Sequence, residues 1–252
     1  MNSKFDITTA KWGEVKQMPR YDLAILPWGA TEPHNQHLPY CTDMLTAQAV
    51  AFEVAEKAAA QGVNLMVLPG IPLGSQNPGQ IELPYCIHTS QTTQFAILRD
   101  IVRSLKRQGI YKLMIMSDHG GNIFKGIIRD IMIEDPEMTI CHNEWFAFVP
   151  RTGFFEEKED DHAGELETSV MLHYYPELVR MDLAGDGHFR KFAIEGLNTK
   201  VAWVPRDWAK VTEDTGVGYP KSATAEKGRR YMEAVVPKIV QFVVDFTTKE
   251  IY

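Results

Sequence analysis

Apolar and polar positions along the chain fall into two alternating textures. Short, almost uninterrupted apolar runs occupy residues 22–27, 64–69, 112–116 and 138–142, and they predict β-strands. The run over 112–116 is apolar nearly throughout, as suits a strand covered on both faces. Between these runs the apolar residues are more widely spaced, which predicts helices over 42–61, 89–108, 122–134, 163–175 and 224–248. Thr42 is placed as an N-cap, and Ser90 stands near the start of the second helix. In the first helix Leu45, Ala49, Val50, Phe52, Val54 and Ala58 trace a helical face only loosely. Residues 200–204 read as one more strand, and 177–223 is otherwise irregular. The alternation of strand and helix implies an α/β fold, a mostly parallel sheet with helices on both faces, in one domain over 1–252.

Composition narrows the partners. With 252 residues, 44% of them apolar and 23% charged, the chain can bury a substantial core. A net charge of −7 argues against nucleic acid, which would want a basic surface. Cys41, Cys86 and Cys141 have no C-x-x-C spacing, which suggests a reducing compartment and no disulfide framework. The N-terminal residues carry no apolar signal core, and no apolar run approaches the ~20 residues that span a bilayer. These features predict a cytoplasmic protein with neither a nucleic-acid nor a membrane partner.

Candidate chemistry sits in three segments. The first, 32–43, holds Glu32, His34, His37 and Asp43 on the loop between the first strand and the first helix. Open α/β sheets bind their ligands on such loops. The second, 117–122, holds His119, Gly120 and Gly121 directly after the third strand, whose end can lie beside that of the first. The third holds His162, Glu165 and Glu167. Carboxylates and imidazoles crowded together suit a divalent cation, and two cations need a bridging carboxylate or hydroxide between them. The two glycines let backbone N–H groups approach a substrate oxygen and leave His119 room to turn inward.

Each candidate has a plainer reading. Alone, His34 and His37 are surface loop residues; beside Glu32 and Asp43 the metal reading is better. His119 could be satisfied by backbone, but its glycine neighbours favour function. His162 follows the acidic run 156–161, which reads as a solvated loop. Glu165 and Glu167 could be ordinary first-turn acids; two apart on a helix, they point to different faces, so at most one reaches a given metal. His88, His142, His173, His188 and the three cysteines read as structural.

Taken together the three segments resemble the creatininase family. Residues 27–43 are similar to its G-(S/A)-x-E-x-H-G-x-H-L-P-x-x-T-D pattern, with Asn35 in place of a glycine. Residues 118–122 are similar to G-H-G-G-N, with Asp118 for a glycine, and 162–169 to H-(A/G)-G-x-x-E-T-S. Residues 73–75 resemble a substrate-side loop, and 215–228 resemble the family's C-terminal element. The resemblance implies a three-layer α/β/α fold, two divalent ions per chain (zinc, manganese or iron) and a homo-oligomer, often a hexamer. Carried over, Glu32 and His119 would bind one ion and His34 the other, with Asp43 bridging. Creatininase proper has Tyr-Glu at Gly120 and Gly121, so the missing ligand would come from Glu167. It also has Trp-Asp at Lys158 and Glu159, and Trp145 would supply the remaining aromatic wall. The resemblance makes His162 the general acid/base. Ser75, Gly120 and Gly121 would meet substrate, and His37 would support the ligands from behind.

The expected activity is hydrolysis of a non-peptide C–N bond in a small cyclic amide or formamide by a metal-bridging hydroxide. The departures at Gly120–Gly121 and Lys158–Glu159 point away from creatinine itself. The Gly-Gly form occurs in relatives that hydrolyse a formamide or trim a peptide. Two other classes stand beside this one. A dinuclear phosphoesterase would want Arg or Lys near the loops, where only Lys125 and Arg151 are close in sequence. A non-catalytic metal-containing small-molecule binding protein would hold one ion or none.

Overall fold

A computed structural model of the chain describes residues 4–18 and 20–252; the first three residues of the N-terminal stretch read for a leader lie outside them. Four strands, β1 (Leu23–Trp28), β2 (Leu65–Val67), β3 (Lys112–Ser117) and β4 (Thr139–Glu144), form one parallel sheet in the order β2-β1-β3-β4. Among the described residues eight α-helices accompany it: α1 (Trp12–Val15), α2 (Thr42–Ala59), α3 (Gln91–Arg107), α4 (Phe124–Glu134), α5 (Glu165–Tyr174), α6 (Glu195–Asn198), α7 (Trp208–Val211) and α8 (Ala225–Thr248).

Successive side chains of a strand point to opposite faces, and here both faces are buried. Leu23 and Ile25 of β1 join Met114 and Met116 of β3 in a core closed by α2, α5 and α8. Ala24, Leu26 and Trp28 join Leu113, Ile115 and Ile140 in a second core closed by α3 and α4. Three layers result, helices over sheet over helices. The loose apolar pattern of α2 now has a cause. The helix packs on the sheet, on α5 and on α8 at once, so Ala49, Ala51, Phe52, Val54 and Ala55 are buried on different sides of it.

Two local readings change. Thr42 is not the N-cap of α2 but its first residue, with its hydroxyl donating to the Pro39 carbonyl at 2.7 Å. Ser90 does cap α3, accepting from the Thr93 N–H. Residues 200–204 form no strand: Lys200 has a left-handed φ of 60°, and Val201 to Val204 are exposed with no strand beside them to pair with.

The strand order places the site. From β1 the chain runs to β2 on one side, then crosses to β3 on the other, so the loops leaving β1 and β3 part at a topological switch point. The last pairing of those two strands is Trp28 with Ser117; the first candidate segment begins just beyond it and the second at Ser117 itself.

Candidate metal centre

The loop after β1 is held tightly onto the start of α2. A Cβ on Gly29 would lie 2.2 Å from Met44 N, so only glycine lets the strand end and the helix meet. Asn35 has a left-handed φ of 52°, a conformation asparagine tolerates, which explains how it can occupy a glycine position. Its Oδ1 accepts from the Gln36 and Gly185 N–H groups. These contacts bury Glu32, His34, His37 and Asp43.

Three imidazoles converge on two carboxylates, all arranged alike. His34 Nδ1 donates to the Glu32 carbonyl at 3.0 Å, leaving Nε2 2.6 Å from Asp43 Oδ1. His119 Nε2 donates to the Ser75 carbonyl at 2.7 Å, leaving Nδ1 3.0 Å from Glu32 Oε1 and 3.2 Å from Asp43 Oδ2. His162 Nε2 donates to the Pro33 carbonyl at 2.9 Å, leaving Nδ1 3.8 Å from Glu32 Oε1. A carbonyl can only accept, so each ring has one tautomer fixed by backbone and turns its other nitrogen toward carboxylate oxygen. A lone pair facing a carboxylate needs a cation between them, either a proton or a metal ion.

Among the described residues the donors form three groups, each compact enough for one ion: Glu32, Asp43 and His119; His34, Asp43 and Glu167; Glu32, His34 and His162. Asp43 belongs to the first two. Its Oδ2 is buried without a hydrogen-bond partner among the described residues, an open coordination position that suits a cation. Glu167 reaches the group from the first turn of α5, its Oε2 also accepting the Ala163 N–H at 2.6 Å. Glu165 faces the other way, to Lys227 and to the Glu156 and Glu157 N–H groups.

The electrostatics fit such a cluster of mutually dependent groups. Burial opposes charge on His34, but the Asp43 carboxylate beside it prevails and raises it to about 10. His119 is likewise raised well above the ordinary range, with burial opposing and Glu32 and Asp43 overcoming it. Burial and nearby Asp43 push Glu167 up to about 8 against the pull of His34. Asp43 is lowered: burial resists, and the His34 and His119 rings outweigh it. His162 is lowered by burial and by His34.

Other predicted residues lie around this core in distinct places. His37 is buried behind it, with Nε2 2.8 Å from the Thr168 hydroxyl on α5. The Ser75 hydroxyl donates to the Thr89 carbonyl, so it is the carbonyl of Ser75 that serves the site, through His119. Gly121 lies against that contact: a Cβ there would stand 2.2 Å from Ser75 O and 2.5 Å from His119 Nε2. Gly120 is exposed with open space where a Cβ would go. Trp145 opens a short 3-10 turn after β4 and lies fully inside the core against Phe146 and Tyr231, where it cannot wall a substrate.

Sequence reasoning passed over several contributors. Gln80 donates to Glu32 Oε2. Asn122 gives its amide to the Gly29 carbonyl and accepts from Gln94, tying the first two loops together. Thr46 donates to Asp118, whose carboxyl burial and nearby Glu167 and Asp43 hold well above the usual carboxylate range. Asp160, within the acidic run read as solvated, is buried and accepts the Leu166 N–H in the first turn of α5. Trp208 lies against His162. The Gly120–Gly121 pair and the G-H-G-G-N resemblance signalled the second loop, but nothing in the irregular 177–223 stretch signalled Trp208.

A model of the creatininase family, described as creatinine amidohydrolase, matches residues 8–243. The chain belongs to the creatininase family. It is therefore a family amidohydrolase, and the three-layer fold around a parallel sheet is the one its structural relatives share. A crystal structure of a candidate creatinine amidohydrolase from Bacteroides fragilis is 54% identical over the whole of both chains, with a TM-score of 0.97. The creatinine amidohydrolase of Pseudomonas putida is 27% identical over 88% of each chain. A mycofactocin precursor peptide peptidase from Mycobacterium ulcerans is also 27% identical, over 98% of this chain and 97% of the relative. Family membership thus spans relatives named for a small cyclic amide and for a peptide. Among the described residues no helix is long and apolar enough to cross a membrane.

Proposed function

We propose that this creatininase-family chain is a dinuclear metal amidohydrolase acting on a C–N bond of a small cyclic amide or formamide. The observation that carries this reading is the shared arrangement of His34, His119 and His162, each anchored by one nitrogen to a backbone carbonyl and facing carboxylate with the other. In this reading Glu32, Asp43 and His119 would hold one ion and His34, Asp43 and Glu167 the other, Asp43 being a donor in both groups. Bound there, divalent cations supply Lewis acidity toward a carbonyl oxygen and make water a nucleophile at neutral pH.

The residues supply the rest. Ser75 and Gln80 orient His119 and Glu32, so the ligands do not reorganise during turnover. The backbone at exposed Gly120 and half-buried Gly121 would offer N–H groups to a substrate oxygen. His162 is left as the proton carrier. Burial lowers its pKa and so favours the neutral ring, whose Nδ1 can accept a proton as water attacks and return it to the leaving nitrogen. Without that proton the nitrogen would depart as an unstable anion.

The phosphoesterase reading is less well supplied with free arginine. Arg151 spends its guanidinium on the Asp160 and Lys158 carbonyls, and Arg206 is paired with Asp161. The test is metal analysis of the purified protein, followed by a panel of creatinine, other cyclic amides, N-formyl compounds, short peptides and phosphate esters. Two divalent ions per chain with turnover of a cyclic amide or formamide is the expected result. One ion or none, or turnover confined to phosphate esters, refutes it.

A further inference from the structure

His162 is pinned through its backbone, since its N–H and carbonyl both bond to Val217. Its ring is not pinned in the same way. The ring makes one hydrogen bond, to the Pro33 carbonyl, and one side packs on the His34 ring with centroids 4.2 Å apart. Trp208 stands against it as a flat edge, with centroids 5.3 Å apart and planes at 87°.

Trp208 is itself firmly seated. It is 3% exposed, in a small core with Val211, Val217 and Phe189. Its backbone N–H donates to the Pro78 carbonyl at 2.7 Å. Gly79 permits this approach, because a Cβ there would lie 2.7 Å from Ala209 N. The outer side of the indole is covered by the Arg206 guanidinium, 4.6 Å from the ring, which Asp161 holds at 2.7 Å. The loop that seats α7 is the loop that brings Gln80 onto Glu32. The indole is thus fixed relative to the carboxylates by a short chain of contacts.

We propose that Trp208 is the positioning residue for His162: its ring, set at right angles to the imidazole, keeps the Nε2–H on the Pro33 carbonyl and Nδ1 toward Glu32. The role assigned to the held ring rests on the amidohydrolase reading; the holding itself does not. The indole N–H has no hydrogen-bond partner among the described residues, so the ring and not its polar atom does the positioning.

The test is nitrogen-resolved NMR of the histidine rings in the full-length, zinc-loaded chain. Wild-type protein should give one His162 tautomer with a slowly exchanging Nε2–H signal. Trp208→Ala should broaden or lose that signal while zinc content stays at the wild-type level, and Trp208→Phe should restore it. If circular dichroism shows that the alanine variant does not fold, Trp208→Leu replaces it; leucine fills the space without a flat edge, and loss of the signal is expected. A signal that survives in the alanine or leucine variant, or that the phenylalanine variant fails to restore, overturns the proposal. A wild-type chain that binds no zinc would sink the metal reading instead, and the same spectra of the metal-free protein would still decide the positioning.

Discussion

Gly121→Ala isolates one contact of the site with little else disturbed. Gly121 is outside the left-handed region, so alanine adds no backbone strain there. The added methyl would lie 2.2 Å from the Ser75 carbonyl oxygen and 2.5 Å from His119 Nε2, on top of the 2.7 Å hydrogen bond between those atoms. The carbonyl or the imidazole must move by a large fraction of an ångström. His119 then loses the acceptor that fixes its tautomer and aims Nδ1 at Glu32 and Asp43. Loss of such an outer partner lowers metal affinity by about 10- to 100-fold, or ~1.4–2.7 kcal/mol. The overpacking itself should cost the metal-free fold about 1–3 kcal/mol. The assay is zinc titration against a competing chelator, with thermal melts in excess chelator to separate the two effects. Gly120→Ala is the internal control, since its methyl would enter open space. Gly121→Ala binding zinc within twofold of wild type, or Gly120→Ala weakening it equally, would refute the reasoning.

Asp43→Ala should remove both ions together, because Asp43 is the donor common to both groups; full occupancy by metal analysis would defeat its bridging role. His162→Ala should keep the metal and lower turnover of the true substrate by about 10²–10⁴; normal turnover would show that the proton moves elsewhere. Metal affinity should rise with pH between 6 and 9. In the metal-free protein His34, raised to about 10, and Glu167, raised to about 8, hold protons at neutral pH that binding must expel. Calorimetry in buffers of different ionisation enthalpy counts those protons, and affinity independent of pH would contradict the assignment.

The sheet was legible because both its faces are buried, so β1 and β3 advertise themselves as apolar runs and their parallel pairing follows from the helices between them. The first two charged loops were legible for the same reason, as polar clusters directly after such runs. The segment 200–204 misled because Val201, Trp203 and Val204 have strand-like composition, whereas pairing depends on a neighbour that composition does not record. Asp160 was hidden among five other charged residues of its loop, and only the backbone geometry at the start of α5 singles it out. Trp208 was out of reach for another reason. Its contact with His162 depends on how an aperiodic excursion folds back over Pro78, a tertiary event with no local signature. Trp145 was legible as an aromatic at a strand end, but not as a core residue.

The parallel pairing of β1 with β3 also bears on how the molecule is made. Parallel neighbours cannot meet until the whole crossover between them, β2 and α3 included, has been laid down. Glu32 and His119 therefore come together only after a long loop has closed, and Glu167 joins later still, from beyond β4. No early, local piece of the chain holds a complete set of donors. A divalent ion bound as proposed would thus find no complete donor group in the unfolded chain and would act as a lock on the finished one. Zinc should leave the refolding rate nearly unchanged and slow unfolding instead, a kinetic asymmetry that stopped-flow measurements with and without the metal would display.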